Sequence, residues 1–431
     1  MIKQLETAGL FLIRFIIQII KSGLNERNIL TLPLNFFINF SPVMLWLATF
    51  KNAGIIPHEI RPKIHVRLAH DWDLIMFGNS WFPFWVLISA CFTFVWIKLV
   101  KKFSLKYNNP LDLALAQSAD DLENTQIELY QFFESSEATV DKVFDDDESS
   151  SRSSDSEDST FSSSSGSETA SSVIPINIKK ISRTTQLYAI PVLFFLIWPV
   201  LNMDEHFAHS ISKTTDLIAW FFYVLGHITF PILTAVWLYV FHQQGALRCF
   251  SIALGTQNMM GVLTHLTFPN APPWFIHMYG LDADANYDMP GYAAGLTRVD
   301  TVLGTHMHSN GFHKSPIVFG AFPSLHSAMA FQVCLFILYY ACSNVLKFAA
   351  VGFVVIQWWA TIHLDHHFRL DLIGGVLYAL VAFALVYPFI LRVEKSFMSA
   401  RLLGDFKKGS SMGMRVFKKN KRVQKFFDPY R

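Results

Sequence analysis

Apolar runs close to the about 20 residues that a helix needs to cross hydrocarbon recur along this chain. They fall at roughly 29–50, 80–99, 186–203, 217–241, 249–268, 323–342, 346–362 and 370–391, and they predict eight membrane-spanning helices. A shorter apolar segment, 5–20, is interrupted by Arg14. A charge in so short a span is costly, so this segment is expected to lie on the membrane surface rather than cross it. The same arginine, with no small-residue cleavage pattern after it, argues against a cleavable leader.

Polar residues between the runs set an orientation. Lys21 and Arg27 precede the first run; Lys98, Lys101, Lys102 and Lys106 follow the second; Lys179, Lys180 and Arg183 precede the third. Beyond residue 391 there are twelve Lys or Arg against three acids. With eight spans all of these clusters share one side, which the positive-inside rule makes cytosolic, along with both termini. The 51–79 loop fits less well, since Lys51, Arg61, Lys63 and Arg67 fall on the far side, but three acids nearly offset them.

Composition agrees with this class. The 431 residues are 52% hydrophobic and 16% charged, against about 25% charged in soluble domains. The expected fold is an all-α polytopic membrane helical bundle. Cys91, Cys249, Cys334 and Cys342 all lie in apolar runs and suggest neither a disulfide framework nor a metal site. Between 118 and 172 acids and serines replace apolar residues, including Asp145-Asp-Asp-Glu148 and Ser162-Ser-Ser-Ser165. That stretch cannot bury enough to fold and reads as a cytosolic linker whose serines are candidate phosphorylation sites. The expected organisation is an N-terminal segment with two spans (1–104), the linker (105–184), a six-helix catalytic membrane domain (185–392) and a basic cytosolic tail (393–431).

Two polar stretches stand at the fronts of apolar runs. One is Gly320-Ala-Phe-Pro-Ser-Leu-His-Ser-Ala328; the other is His366-His-Phe-Arg-Leu-Asp371. The chain goes out along one span and back along the next between them, so both open on the same, non-cytosolic side. Both lie at expected helix N-termini, where unpaired N–H groups and the helix dipole favour a phosphate. On a helix His367 and Asp371, four apart, share a face. The carboxylate would then fix the imidazole tautomer and raise its basicity, as a nucleophile toward phosphorus requires. His326 is left as general acid and base. His363 and His366 are offset from this face and are read as structural. No cluster has metal-ligand spacing, and no cofactor is expected.

These stretches carry a resemblance. The chain resembles the lipid phosphatase and phosphotransferase superfamily related to type 2 phosphatidic acid phosphatases, in its fungal inositolphosphotransferase branch. Four blocks match: Arg61-Pro-Lys-Ile-His65 through Met76-Phe-Gly78; Phe268-Pro-Asn-Ala-Pro-Pro-Trp-Phe275 with Asn286-Tyr-Asp288; and the two histidine stretches. Inositol phosphorylceramide synthases share them. The chain is more closely similar to mannosyl-di(inositolphosphoryl)ceramide synthases through Asn25-Glu-Arg-Asn-Ile-Leu30 to Phe40-Ser-Pro42, Leu364-Asp-His-His-Phe368, Gly413-Met-Arg-Val-Phe417 and Phe426-Phe-Asp-Pro429.

The resemblance implies a type 2 phosphatidic acid phosphatase-like core, with phosphatidylinositol as donor and mannosyl-inositol-phosphorylceramide as acceptor. It also implies Golgi residence, a lumenal site and no nucleic-acid partner. Ceramide as acceptor, or water in a lipid phosphate phosphatase, are the alternatives. The hydrolases' Lys-x6-Arg-Pro block and their arginine six residues before the nucleophile are missing: Gly54 and Thr361 stand there. That argues for transfer over hydrolysis and leaves the phosphate's partners open among Arg298, Arg61, Lys63 and Arg369, with Ser324 at the front of the sixth run. Trp274, Asn286 and Asp288 are expected to wall the headgroup site.

Overall fold

A computed structural model describes residues 13–14, 16–17, 31–104, 183–207 and 211–430 of the chain. The expected linker lies outside the described residues apart from its last two positions, as does most of the 5–20 segment. Among the described residues the fold is helical, with two isolated β-bridges and no strand.

All eight apolar runs are helices. They are α1 (Thr31–Asn52), α3 (Phe82–Ser104), α4 (Ile190–Phe207), α5 (Lys213–Phe241), α6 (Ala246–Thr267), α10 (Leu325–Tyr340), α11 (Asn344–His363) and α12 (Arg369–Leu402). Between them lie the short helices α2 (Leu68–Met76), α7 (Pro273–Tyr279), α8 (Leu296–Leu303) and α9 (Met307–His313). The chain ends in α13 (Met412–Val416) and α14 (Lys421–Phe426). Six of the eight runs are long and apolar enough to cross a membrane; α6 and α10 are the other two.

Burial explains why those two differ. Helix α10 has only 16 residues and sits in the centre, against α5, α6, α11 and α12. A helix surrounded by protein need not match the bilayer in length or hydropathy, and α6 accordingly buries Gln257 and Asn258. Outer helices instead present apolar stripes to lipid. On α12, Leu377, Val381, Leu385 and Phe389 recur every fourth residue and are exposed, as one face of a 3.6-residue helix demands.

The front ends of α10 and α12 cross almost in contact. Ser324 N–H donates to the Asp371 carbonyl at 2.9 Å and Ser327 Oγ to the Leu372 carbonyl at 2.7 Å. Trp358 Nε1 donates to Ser327 Oγ at 2.8 Å and brings α11 into the same knot. Gly375 makes the approach possible, because a Cβ there would collide with the Ser324 carbonyl oxygen and come within 2.9 Å of Ala328 N. The irregular chain after α6 is bound in too. Asn270 bridges to His65 on one side and Gly320 on the other, so three of the four sequence blocks meet at one residue.

At the opposite end the basic tail folds back rather than trailing into solvent. Arg401 makes a bidentate pair with Asp428 at 2.8 and 2.7 Å. Arg183 lies 3.3 Å from Glu394 and over the Tyr430 ring at 4.4 Å.

Gly375→Ala is expected to destabilise the detergent-solubilised protein by about 1–3 kcal/mol, the usual cost of overpacking. Gly352→Ala, with nothing within 4 Å of the new methyl group, should be neutral or stabilising by up to about 1 kcal/mol, the helix-propensity gain of Ala over Gly. Thermal unfolding of both variants checks this, and equal effects would contradict the close crossing.

Candidate active site

Helix α11 ends in a tight turn whose every residue is tied down. His363 Nε2 lies 2.8 Å from Asp216 Oδ1 on α5, and the Leu364 carbonyl accepts from Gly295 N–H at 3.0 Å. Asp365 takes a left-handed conformation at φ 63°, which a short polar side chain tolerates, and pairs with His277 at 2.9 Å. The backbone then delivers His366 and His367 into the space in front of α10.

His367 precedes the first turn of α12 rather than standing within it, and this alters the expected partnership with Asp371. Asp371 Oδ2 accepts from Phe368 N–H at 2.9 Å, capping the helix, and lies 3.6 Å from His367 Nδ1. The close partner of Nδ1 is the Ala321 carbonyl, at 2.8 Å. A carbonyl only accepts, so Nδ1 carries the proton and Nε2 carries the lone pair. The tautomer expected from the carboxylate is thus set chiefly by a backbone oxygen. Asp371 is fully buried, and among the described residues its Oδ1 has no hydrogen-bond partner.

His326, the second residue of α10, faces His367 with ring centroids 6.0 Å apart. Both open into a cavity of about 610 Å³, whose wall also includes Trp46, Trp274, His265, His308 and Lys314. Both rings are therefore within reach of one group bound at this end of the cavity. Among the described residues no carboxylate lines this cavity, and no group of acids, histidines and cysteines could hold a metal ion.

The other expected site residues divide sharply. Trp274 is on the cavity wall. Ser324 is fully buried and its Oγ accepts from Ser327 N–H at 3.4 Å, capping α10. Of the expected phosphate-binding cations, none lines the cavity. Arg298 is a bidentate partner of Asp216, at 2.9 and 2.7 Å, and Arg369 donates from Nε and Nη2 to Asp73 Oδ2, at 3.0 and 2.7 Å. Arg61 donates to the carbonyls of Ile56 and Ala53, both at 3.1 Å, and lies over Tyr287. Lys63, Asn286 and Asp288 are exposed outside the cavity. Each guanidinium already has partners that hold a turn or a helix end in place.

Sequence reasoning missed Lys314, the only Lys or Arg among the described residues of the wall. It follows α9, whose entry is organised by buried Asp300. This carboxylate accepts from Ser309 N–H and Oγ at 2.9 and 2.8 Å, from Thr305 Oγ1 at 2.9 Å, and lies 2.7 Å from His308 Nδ1. Burial works against its ionisation, but these donors together hold its carboxyl below the usual range. Trp220 Nε1 donates to His308 Nε2 at 3.0 Å, so His308 is spoken for on both nitrogens. His366, read as structural, also lines the cavity; burial and the neighbouring His367 push it down to about 3, so it stays neutral. A lysine in a loop and a histidine off the expected face carry no local signal.

Comparison with known proteins bears on this geometry. Residues 188–385 match the model of the PAP2 superfamily. The chain is 32% identical to Inositolphosphotransferase 1 of Saccharomyces cerevisiae, over 96% of this chain and 98% of the relative. It is 40% identical to inositol phosphorylceramide synthase of Candida albicans, over 42% of this chain and 38% of that one. It is also 30% identical to phosphoinositol dihydroceramide synthase of Bacteroides thetaiotaomicron, over 41% of this chain and 57% of that one. No solved structure matches it. An enzyme with this helical bundle, and with full-length likeness to one such transferase, belongs to the inositolphosphotransferase family of the PAP2 superfamily.

Proposed function

We propose that this transferase moves inositol phosphate from phosphatidylinositol to mannosyl-inositol-phosphorylceramide, releasing diacylglycerol, at a lumenal site in the Golgi with both termini cytosolic. The observation that carries the chemistry is the His326–His367 pair, 6.0 Å apart at one end of a largely apolar cavity. In the first step His367 Nε2 attacks phosphorus, and the bond from phosphorus to the glycerol oxygen breaks. His326 gives its proton to that oxygen, so diacylglycerol leaves neutral. In the second step a mannose hydroxyl attacks the phosphohistidine and passes its proton to His326. The P–N bond breaks and both histidines return to their starting states. Asp371 and the Ala321 carbonyl stabilise the positive ring at His367 between the steps.

Likeness along nearly the whole chain to an inositolphosphotransferase supports the transfer reading. The pairing of Arg298 and Arg369 with carboxylates supports it as well, since neither offers the cavity a free guanidinium of the kind that grips phosphate in the hydrolases. Among the described residues of the wall, Lys314 is the cation placed to meet an anionic lipid. Phosphatidylinositol is a phosphodiester and so is the proposed acceptor, and this lysine fits either of them.

Labelled phosphatidylinositol in purified membranes, offered with ceramide, inositol phosphorylceramide and its mannosylated form separately, tests the assignment. Product with the mannosylated lipid alone is expected. Product with ceramide would move the chain to the earlier synthase reaction, and free inositol phosphate without lipid product would make it a hydrolase. In the same assay His326→Ala and His367→Ala should each lose at least about 10³-fold in turnover.

Lys314→Ala should raise KM for a phosphodiester lipid about tenfold, and Lys314→Arg should restore most of it, as expected for a charge-assisted contact. Unchanged KM values for donor and acceptor in the alanine variant would remove Lys314 from the site.

A further inference from the structure

His326 has an unusual setting for a group that must start the reaction protonated. Among the described residues it makes no hydrogen bond or ion pair, and its neighbours include three other rings, of which Tyr223 alone meets it face to face. Tyr223 stacks on it with centroids 4.0 Å apart and planes 15° apart. His366 also stacks on Tyr223, at 5.0 Å and 12°, and Phe312 stacks on His366 at 5.0 Å and 30°. Successive stacked contacts thus link four rings from α9 to α10. His227, four residues beyond Tyr223, stands beside His326 with ring centroids 4.3 Å apart.

The nearby charges do not favour a cation. From α5 come Tyr223 and His227, and from the turn before α12 come His366 and His367. His265, His308 and Lys314 stand further round the wall. The nearest carboxylate named in this site, Asp371, lies behind His367 and serves that ring. What His326 does have is a phenol face in parallel contact, and an aromatic face carries the negative part of the ring quadrupole. Tyr223 is placed by a π-helical stretch, Phe221–Gly226, within α5. Such stretches are rare and occur mostly at functional sites.

We propose that Tyr223 is the positioning residue of His326, its ring face both fixing the imidazole against the cavity and stabilising its protonated form for the first step of transfer. The phenol hydroxyl is not needed for this; the π face is. The mechanistic part of the inference rests on the transferase reading, and the protonation part does not. Removing the face lowers the pKa of His326, so the fraction able to act as acid is lost at a lower pH.

Two readouts on the full-length enzyme separate these parts. The pH dependence of diethylpyrocarbonate modification at His326, followed by peptide mass spectrometry, gives its pKa without any activity. The alkaline limb of kcat/KM for phosphatidylinositol gives the pKa of the acid that the reaction uses. Tyr223→Phe should leave both within about 0.3 of a pH unit, because it keeps the ring. Tyr223→pentafluorophenylalanine keeps the shape but reverses the quadrupole. It should move both to lower pH by about one unit, a tenfold loss of the protonated form at fixed pH. An unmoved modification profile in the fluorinated variant would overturn the proposal. A shifted modification profile with an unshifted kinetic limb would keep Tyr223 as the support of His326's charge but overturn its part in catalysis, and with it the role of His326 as the acid.

Discussion

The hydrogen bond from His367 Nδ1 to the Ala321 carbonyl, 2.8 Å long, is the contact through which the two histidine stretches become one site. It sets the tautomer of one candidate catalytic residue from the backbone of the stretch that carries the other. It holds only because Ala321 is itself fixed, its N–H donating to the Asn270 carbonyl at 3.3 Å. The crossing of α10 and α12 below it is equally rigid, with Gly375 at the point of closest approach. The bond joins two residues just ahead of helices, and the packed helix ends behind them hold both in place.

Much of this was legible in the sequence. Apolar runs gave the helices, and their alternation put His326 and His367 on one side, because hydrophobic length and chain direction are local or additive properties. The spacing of His367 and Asp371 was misread in one respect. Four residues suggest a shared helix face, but the helix begins at Arg369, so His367 lies ahead of it and Asp371 becomes the residue that caps Phe368. The signal for a cap, an acid three residues into a helix, was present and competed with the signal for a dyad.

The phosphate-binding cations were not legible, for a clear physical reason. A charge in a bundle interior must be paired, and its partner is chosen by three-dimensional packing. Arg298 finds Asp216, 82 residues away, and Arg369 finds Asp73, 296 residues away. Neither separation leaves a trace in local pattern, so both arginines looked available. Tyr223 was hidden differently: an aromatic residue in an apolar span is indistinguishable from core until its ring is seen against an imidazole.

The central claim is that His367 carries the inositol phosphate between two half-reactions. It is tested most directly by incubating the enzyme with phosphatidylinositol bearing labelled inositol phosphate and no acceptor, then quenching rapidly and mapping the label. An alkali-stable, acid-labile adduct is expected on the peptide containing His367, discharged on addition of the mannosylated lipid and missing in His367→Ala. Transfer proceeding at its normal rate with no adduct, or an adduct that persists in His367→Ala, would contradict it.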